Sequence, residues 1–125
     1  MLRFVLIFMP LLCLSLVGCQ TRTITNGREF DGSKIAKIDK GITTTDELIA
    51  LLGKPNKQWV WSDDGVMWEY SWSKEAVKTE FNWAGQELIT DGYKRTLQVL
   101  IKYDRVVNYT YYEGPYHIEN KPGSN

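Results

Sequence analysis

The chain is poor in the residues from which most catalytic and metal sites are built. It has one histidine, His117, and two cysteines, Cys13 and Cys19, in 125 residues. A lone histidine excludes the common two-histidine metal sites and leaves one side chain that titrates near neutrality. An excess of one charge is missing too. Fifteen Lys+Arg stand against 15 Asp+Glu, so no net field steers the chain toward nucleic acid. There is no phosphate-cradling glycine loop, dinucleotide fingerprint, calcium-loop spacing or Gly-x-Ser-x-Gly nucleophile setting. These gaps lead to the expectation of a non-enzymatic protein without cofactor or metal. Aromatic residues are plentiful, with five Trp, seven Tyr and four Phe, and 43% of the chain is hydrophobic. That composition belongs to one folded domain rather than to a disordered tail.

Residues 1–18 read as a signal peptide. Arg3 and the amino terminus are basic, and Phe4 to Val17 form an apolar run that is interrupted by Pro10 and is shorter than a membrane span of about 20 residues. Leu16-Val17-Gly18-Cys19 at its end resembles the bacterial lipobox. The lipobox resemblance implies cleavage before Cys19 and a thioether-linked diacylglycerol on its thiol. Gln20 in the next position implies sorting to the periplasmic face of the outer membrane. The mature chain then holds no free thiol, because Cys13 leaves with the leader and Cys19 is acylated. Residues 19–30 read as the lipidated N-terminus and a polar tether.

The folded part is expected over residues 31–112. Asp31 caps a short helix over Lys34 to Lys40, with Ile35 and Ile38 three apart and Gly41 at its end. Thr43 with Asp46, or Thr44 with Glu47, caps a second helix that carries Leu48, Leu51 and Leu52 and stops at Gly53 and Pro55. Beyond Pro55 the period becomes two. Gln58 to Trp61 and Val66 to Trp72 make one hairpin across Asp63-Asp64-Gly65, and Val66, Trp68, Tyr70 and Trp72 share a buried face. Thr96 to Tyr103 and Val106 to Tyr112 make a second hairpin through a turn near Asp104-Arg105. Ser73 to Arg95 reads either as a folded loop or as holding a further β-segment near Val77 to Trp83. Residues 113–125 read as a flexible tail. The fold class that follows is α+β: two N-terminal helices packed on a three- or four-stranded antiparallel sheet.

Lys34-Ile-x-x-Ile38, Gly41-Ile-Thr43, the leucine-rich helix, Leu52-Gly53-x-Pro55 and Gly65-x-x-Trp68-x-Tyr70 together resemble the SmpA/OmlA (BamE-like) family of small outer-membrane lipoproteins. Leu97-x-Val-x-Ile101 and Val106-Val107 are similar to the family's last strands more loosely. The family resemblance implies two helices followed by a three-stranded sheet, a lipid anchor on Cys19, and a non-enzymatic role in envelope integrity. It also implies an envelope protein partner, with the barrel-assembly machinery as the family's best-known association. Ser73 to Arg95 is longer than the family's equivalent connection. An alternative reading is a periplasmic inhibitor or a glycan- or peptide-binding lipoprotein.

The candidate binding residues are aromatics that one sheet face cannot hide: Trp59, Trp61, Trp83, Tyr109 and Tyr111. Either they form an exposed patch, or Ser73 to Arg95 folds back over them and closes a second small core. Trp68 and Tyr70 are assigned to the core, His117 to the surface, and Asp63-Asp64 to turn chemistry. Lys94-Arg95 with Lys102 reads as a solvated face.

Overall fold

The computed structural model describes residues 20–123; the leader and Cys19 lie outside the described residues. Its elements are strand β1 (Thr21–Gly27), a 3-10 turn (Gly32–Lys37), helix α1 (Thr45–Leu52) and strands β2 (Lys57–Ser62), β3 (Gly65–Asn82), β4 (Gly85–Lys102) and β5 (Arg105–Asn120). One antiparallel sheet holds all five strands. β3 pairs with β4 along its whole length, and β4 pairs with β5. The other edge of β3 is shared: β2 covers Gly65 to Glu69 and β1 covers Trp72 to Lys78. β3 and β4 have 18 residues each, so at about 3.3 Å per residue the sheet is roughly 60 Å long.

This corrects the expected fold class. The molecule is mostly antiparallel sheet, not two helices packed on a three- or four-stranded sheet. The expected helix over residues 34–40 is a six-residue 3-10 turn whose C-cap, Ile38, is already extended. Spacing of three between Ile35 and Ile38 suits a 3-10 turn as well as an α-helix, and a segment this short cannot offset the cost of α nucleation. The expected tether is largely β1, and the expected tail continues β5 to Asn120. Ser73 to Arg95 does not fold back over the aromatics. It is the far half of the β3–β4 hairpin, closed by a turn at Trp83-Ala84.

α1 forms where the capping pattern places it. Thr44 Oγ1 accepts the Glu47 N–H at 3.2 Å, and Glu47 Oε2 accepts the Thr44 N–H at 3.3 Å. Gly53 ends the helix at φ +82°, donating its N–H to the Ile49 carbonyl at 2.7 Å. The β4–β5 turn is Tyr103-Asp104, both residues with positive φ, as a two-residue hairpin turn matching the strand twist requires.

The core occupies one end of one sheet face. Phe30, Ile35, Ile38, Leu48 and Leu52 from the preceding segments cover Tyr70, Leu97, Val99, Ile101 and Val106. The ring of Phe30 meets Tyr70 and Tyr111 edge-on, with centroids 6.1 and 6.4 Å apart. The Tyr70 hydroxyl donates to the Gly53 carbonyl at 2.9 Å, tying the sheet to the end of α1. Beyond Trp72 none of the described residues forms a layer over the sheet. β1 with residues 73–82, 85–94 and 113–120 forms a single-layered arm that projects from the core with both faces bare.

Candidate functional site

Register assigns every strand residue to one of two faces, because directly paired residues in an antiparallel ladder point the same way. The core face runs through Trp68, Tyr70 and Trp72 and continues along the arm as Lys74, Ala76, Lys78 and Glu80. The outer face has no second layer among the described residues. Near β2 it carries Trp59 opposite Met67, and Met67 opposite Leu100. Trp61 joins them. Together with Gln98, Asn108 and Thr110 it lines a shallow depression of about 170 Å³. Trp61 is 61% exposed and Trp59 36%. Two indole rings beside a methionine and a leucine make an apolar patch on an edge strand, with polar carboxamide and hydroxyl groups along its margin.

Farther along the same face Lys94 stands between two rings. Its Nζ lies 5.2 Å from the Tyr112 centroid and 5.5 Å from that of Tyr116, within cation–π range of both. Tyr116 lies flat across Gly92, where a Cβ would meet the ring at 2.4 Å, and its hydroxyl bonds to Glu75. Only glycine lets that ring lie against the sheet.

On the core face, the junction of arm and core is built around Glu113. Oε1 accepts from the Tyr93 hydroxyl and from Arg95 Nε, both at 2.8 Å, and Oε2 accepts from the Tyr111 hydroxyl at 2.6 Å. Arg95 Nη1 also donates to the Phe30 carbonyl at 3.2 Å, and its guanidinium lies 5.4 Å from the Trp72 ring. Hydrogen bonds from Tyr111, Arg95 and Tyr93 hold the Glu113 carboxyl down to about 2. Burial, followed by the hydrogen bond to Glu113, pushes Tyr111 up to about 12. Because the folded-state value of Glu113 is depressed, its contribution is present above about 4.3, the ordinary glutamate value, and is lost as pH falls toward 2. Acidification through that window is expected to loosen the arm from the core. Lower amide protection factors in residues 111–114, with α1 still protected, are the signature. Uniform protection down to pH 2 would contradict it.

Beyond this cluster the core face of the arm carries an open groove of about 460 Å³ between Trp72, Lys74, Tyr93, Asp91 and Pro115. His117 lies past it, with Nδ1 2.6 Å from Asp91 Oδ1 and Nε2 3.2 Å from Glu119 Oε1. Hydrogen bonding to Asp91, then to Glu119, raises its pKa. Neither ring nitrogen faces a nucleophile, and both are committed to carboxylates. No group of three or more His, Cys, Asp or Glu among the described residues has the geometry to hold a metal ion.

The five aromatic candidates do not form one site. Trp59 and Trp61 sit together on the outer face, and Trp83 lies apart from the other four candidates at the far tip of the arm, 99% exposed. Tyr109 and Tyr111 are not exposed platforms. They are partly buried against the core, because pairing with Val99 and Leu97 puts them on the covered face. Met67, Leu100 and the Glu113 cluster are not signalled as site residues by the sequence. Alternation placed Met67 and Leu100 opposite the core, whereas the cluster depends on β5 continuing past Tyr112, which a segment containing Gly114 and Pro115 does not signal. No protein-family model, curated protein or solved structure matches this chain.

Proposed function

We propose that this protein is a lipid-anchored, non-enzymatic interaction module on the periplasmic face of the outer membrane, and that it engages an envelope protein through the outer face of its sheet. The observation that carries the reading is the patch of Trp59, Trp61, Met67 and Leu100 on a sheet face with no second layer among the described residues. A core of this size needs only one face of the sheet, so aromatic rings on the other are free to pack against another surface. Tryptophan is the residue most enriched where truncation costs an interface most. The lipobox-like Leu16-Val17-Gly18-Cys19 supports the anchor, and the resemblance to small outer-membrane lipoproteins supports the compartment. The barrel-assembly machinery is the first partner to look for.

The test is capture from detergent-solubilised membranes with the native chain and with Trp59→Ser/Trp61→Ser. Both rings lie on an edge strand outside the core, so the double variant should unfold at nearly the native temperature. Loss of about 2 kcal/mol of binding, roughly thirtyfold in Kd, is expected for removing such anchors. Recovery of the same membrane proteins in the same amount by the variant would overturn the docking face. Capture of a soluble enzyme or of peptidoglycan in place of a membrane protein would move the assignment to an inhibitor or a glycan-binding lipoprotein.

A further inference from the structure

The arm ends in a feature that the docking face does not use. At the β3–β4 turn, Phe81 is 79% and Trp83 99% exposed, making this the most solvent-accessible pair of large apolar side chains close together in the described residues. The turn is well formed. The Asn82 side-chain oxygen accepts the Ala84 N–H at 2.9 Å, and Gly85 takes φ +131° with Pro122 packed beside it. A fixed turn that presents an indole and a phenyl to water loses free energy unless something else receives the rings.

The path of the chain says what receives them. β1 runs antiparallel to β3 with Gly27 opposite Trp72 and Thr21 opposite Lys78, so its N-terminal end points toward the tip. Lys78 is four residues from Asn82 along β3, about 13 Å at strand spacing. Cys19 is joined to Thr21 through Gln20, so whatever it carries is tethered to the N-terminal end of β1. The leader and the acylation candidate Cys19 therefore join the described chain on the arm, about 13 Å along β3 from the Phe81–Trp83 turn and in the half of the sheet away from the core. A membrane attachment made through either of them brings the bilayer to the tip.

Resting on the anchored reading above, we infer that the β3–β4 hairpin tip is a second membrane contact, with Trp83 and Phe81 seated in the headgroup–acyl boundary of the bilayer that holds the N-terminus. Tryptophan favours that boundary because its ring is apolar and its N–H stays wet. The outer face behind the tip carries Val77, Leu88 and Ile118, whereas the core face carries Glu80 opposite Glu87. Two carboxylates one rung behind Phe81 keep the insertion shallow. The charges around the tip balance: Arg22, Lys78 and Lys121 stand against Glu80, Glu87 and Glu119, with Lys78 paired to Glu80 and Lys121 3.3 Å from Glu119. The contact is thus apolar rather than electrostatic, and does not depend on anionic lipid. Fixed at two points, the arm stands the core off the membrane by most of the sheet's length.

The anchored mature protein has no other thiol, so Ala84→Cys provides one labelling site beside Trp83. The full chain carrying this change, labelled with an environment-sensitive fluorophore, is reconstituted in vesicles of phosphatidylethanolamine and phosphatidylglycerol containing a shallow nitroxide lipid. Asp63→Cys in the β2–β3 turn at the core end is the reference position. The expected result is blue-shifted, quenched emission at residue 84, no quenching at residue 63, and no change when phosphatidylglycerol is omitted. Adding Phe81→Ala and Trp83→Ala should abolish the quenching without lowering the unfolding temperature. Unquenched emission at residue 84 in acylated, vesicle-bound protein would overturn the tip contact and leave the anchor standing. Quenching at residue 84 in protein whose N-terminal peptide carries no acyl chain would overturn the anchor and leave the tip.

Discussion

Tyr70→Ala is expected to destabilise the protein by about 3–5 kcal/mol, the range for deleting a buried aromatic ring from a packed core. Tyr70 is 2% exposed and lies under Phe30, in the middle of the only face that the N-terminal segments cover. Its hydroxyl is satisfied by the Gly53 carbonyl, and burial pushes its pKa up to about 12, so the ring enters the core neutral and fully bonded. Tyr70→Phe separates the two contributions. It keeps the ring and leaves one carbonyl short of a donor, a loss of about 1–2 kcal/mol. Denaturant unfolding with an unchanged m-value reads both. A loss below about 1 kcal/mol for Tyr70→Ala would mean that the segments before β2 do not pack on the sheet. Trp68, assigned to the core from its pattern, should cost less than Tyr70 when truncated, because it is only partly buried at the margin of the cluster.

Cys19→Ser is expected to abolish acylation altogether and leave an uncleaved or soluble precursor. Serine offers no thiol for a thioether, and the leader peptidase in this scheme acts on the modified cysteine. The energetic reason for an all-or-none effect is the chain count. Each buried methylene contributes about 0.8 kcal/mol, one chain holds a protein only reversibly, and two or more hold it stably. Labelled palmitate incorporation and alkaline extraction of membranes check the result. A Cys19→Ser chain that still incorporates palmitate and stays with the pellet would contradict the assignment.

The parts of the fold legible in the sequence are those where one local signal has one physical outcome. Thr44 with Glu47 and the closing Gly53 mark α1, and the alternation of Val66, Trp68, Tyr70 and Trp72 marks the buried face of β3. The arm was illegible for the complementary reason. With no layer on either side among the described residues, Ser73 to Asn82 and Gly85 to Lys94 carry no inside–outside alternation, so the sequence offers a β-segment near Val77 to Trp83 only as one of two readings and does not signal the paired 18-residue strands. β1 is a run of polar β-branched residues, Thr21, Thr23 and Thr25, that is indistinguishable from a tether until it pairs with β3. Gly114 and Pro115 argued against a strand that in fact continues, because β5 is an edge strand, where a missing N–H is tolerated. For the candidate site, Trp59, Trp61 and Trp83 were named from an excess of rings over available core, which is an argument about number. Which of them stand together is set by the pairing of β2 with the near end of β3, and the sequence contains no local signal for that.

The proposed lipid anchor is tested most directly by the mass of the N-terminal peptide of the native protein purified from membranes. The predicted result is a peptide that begins at Cys19 and carries a diacylglycerol on its sulfur. A peptide that begins at Met1, or one that begins at any residue without acyl modification, would contradict it.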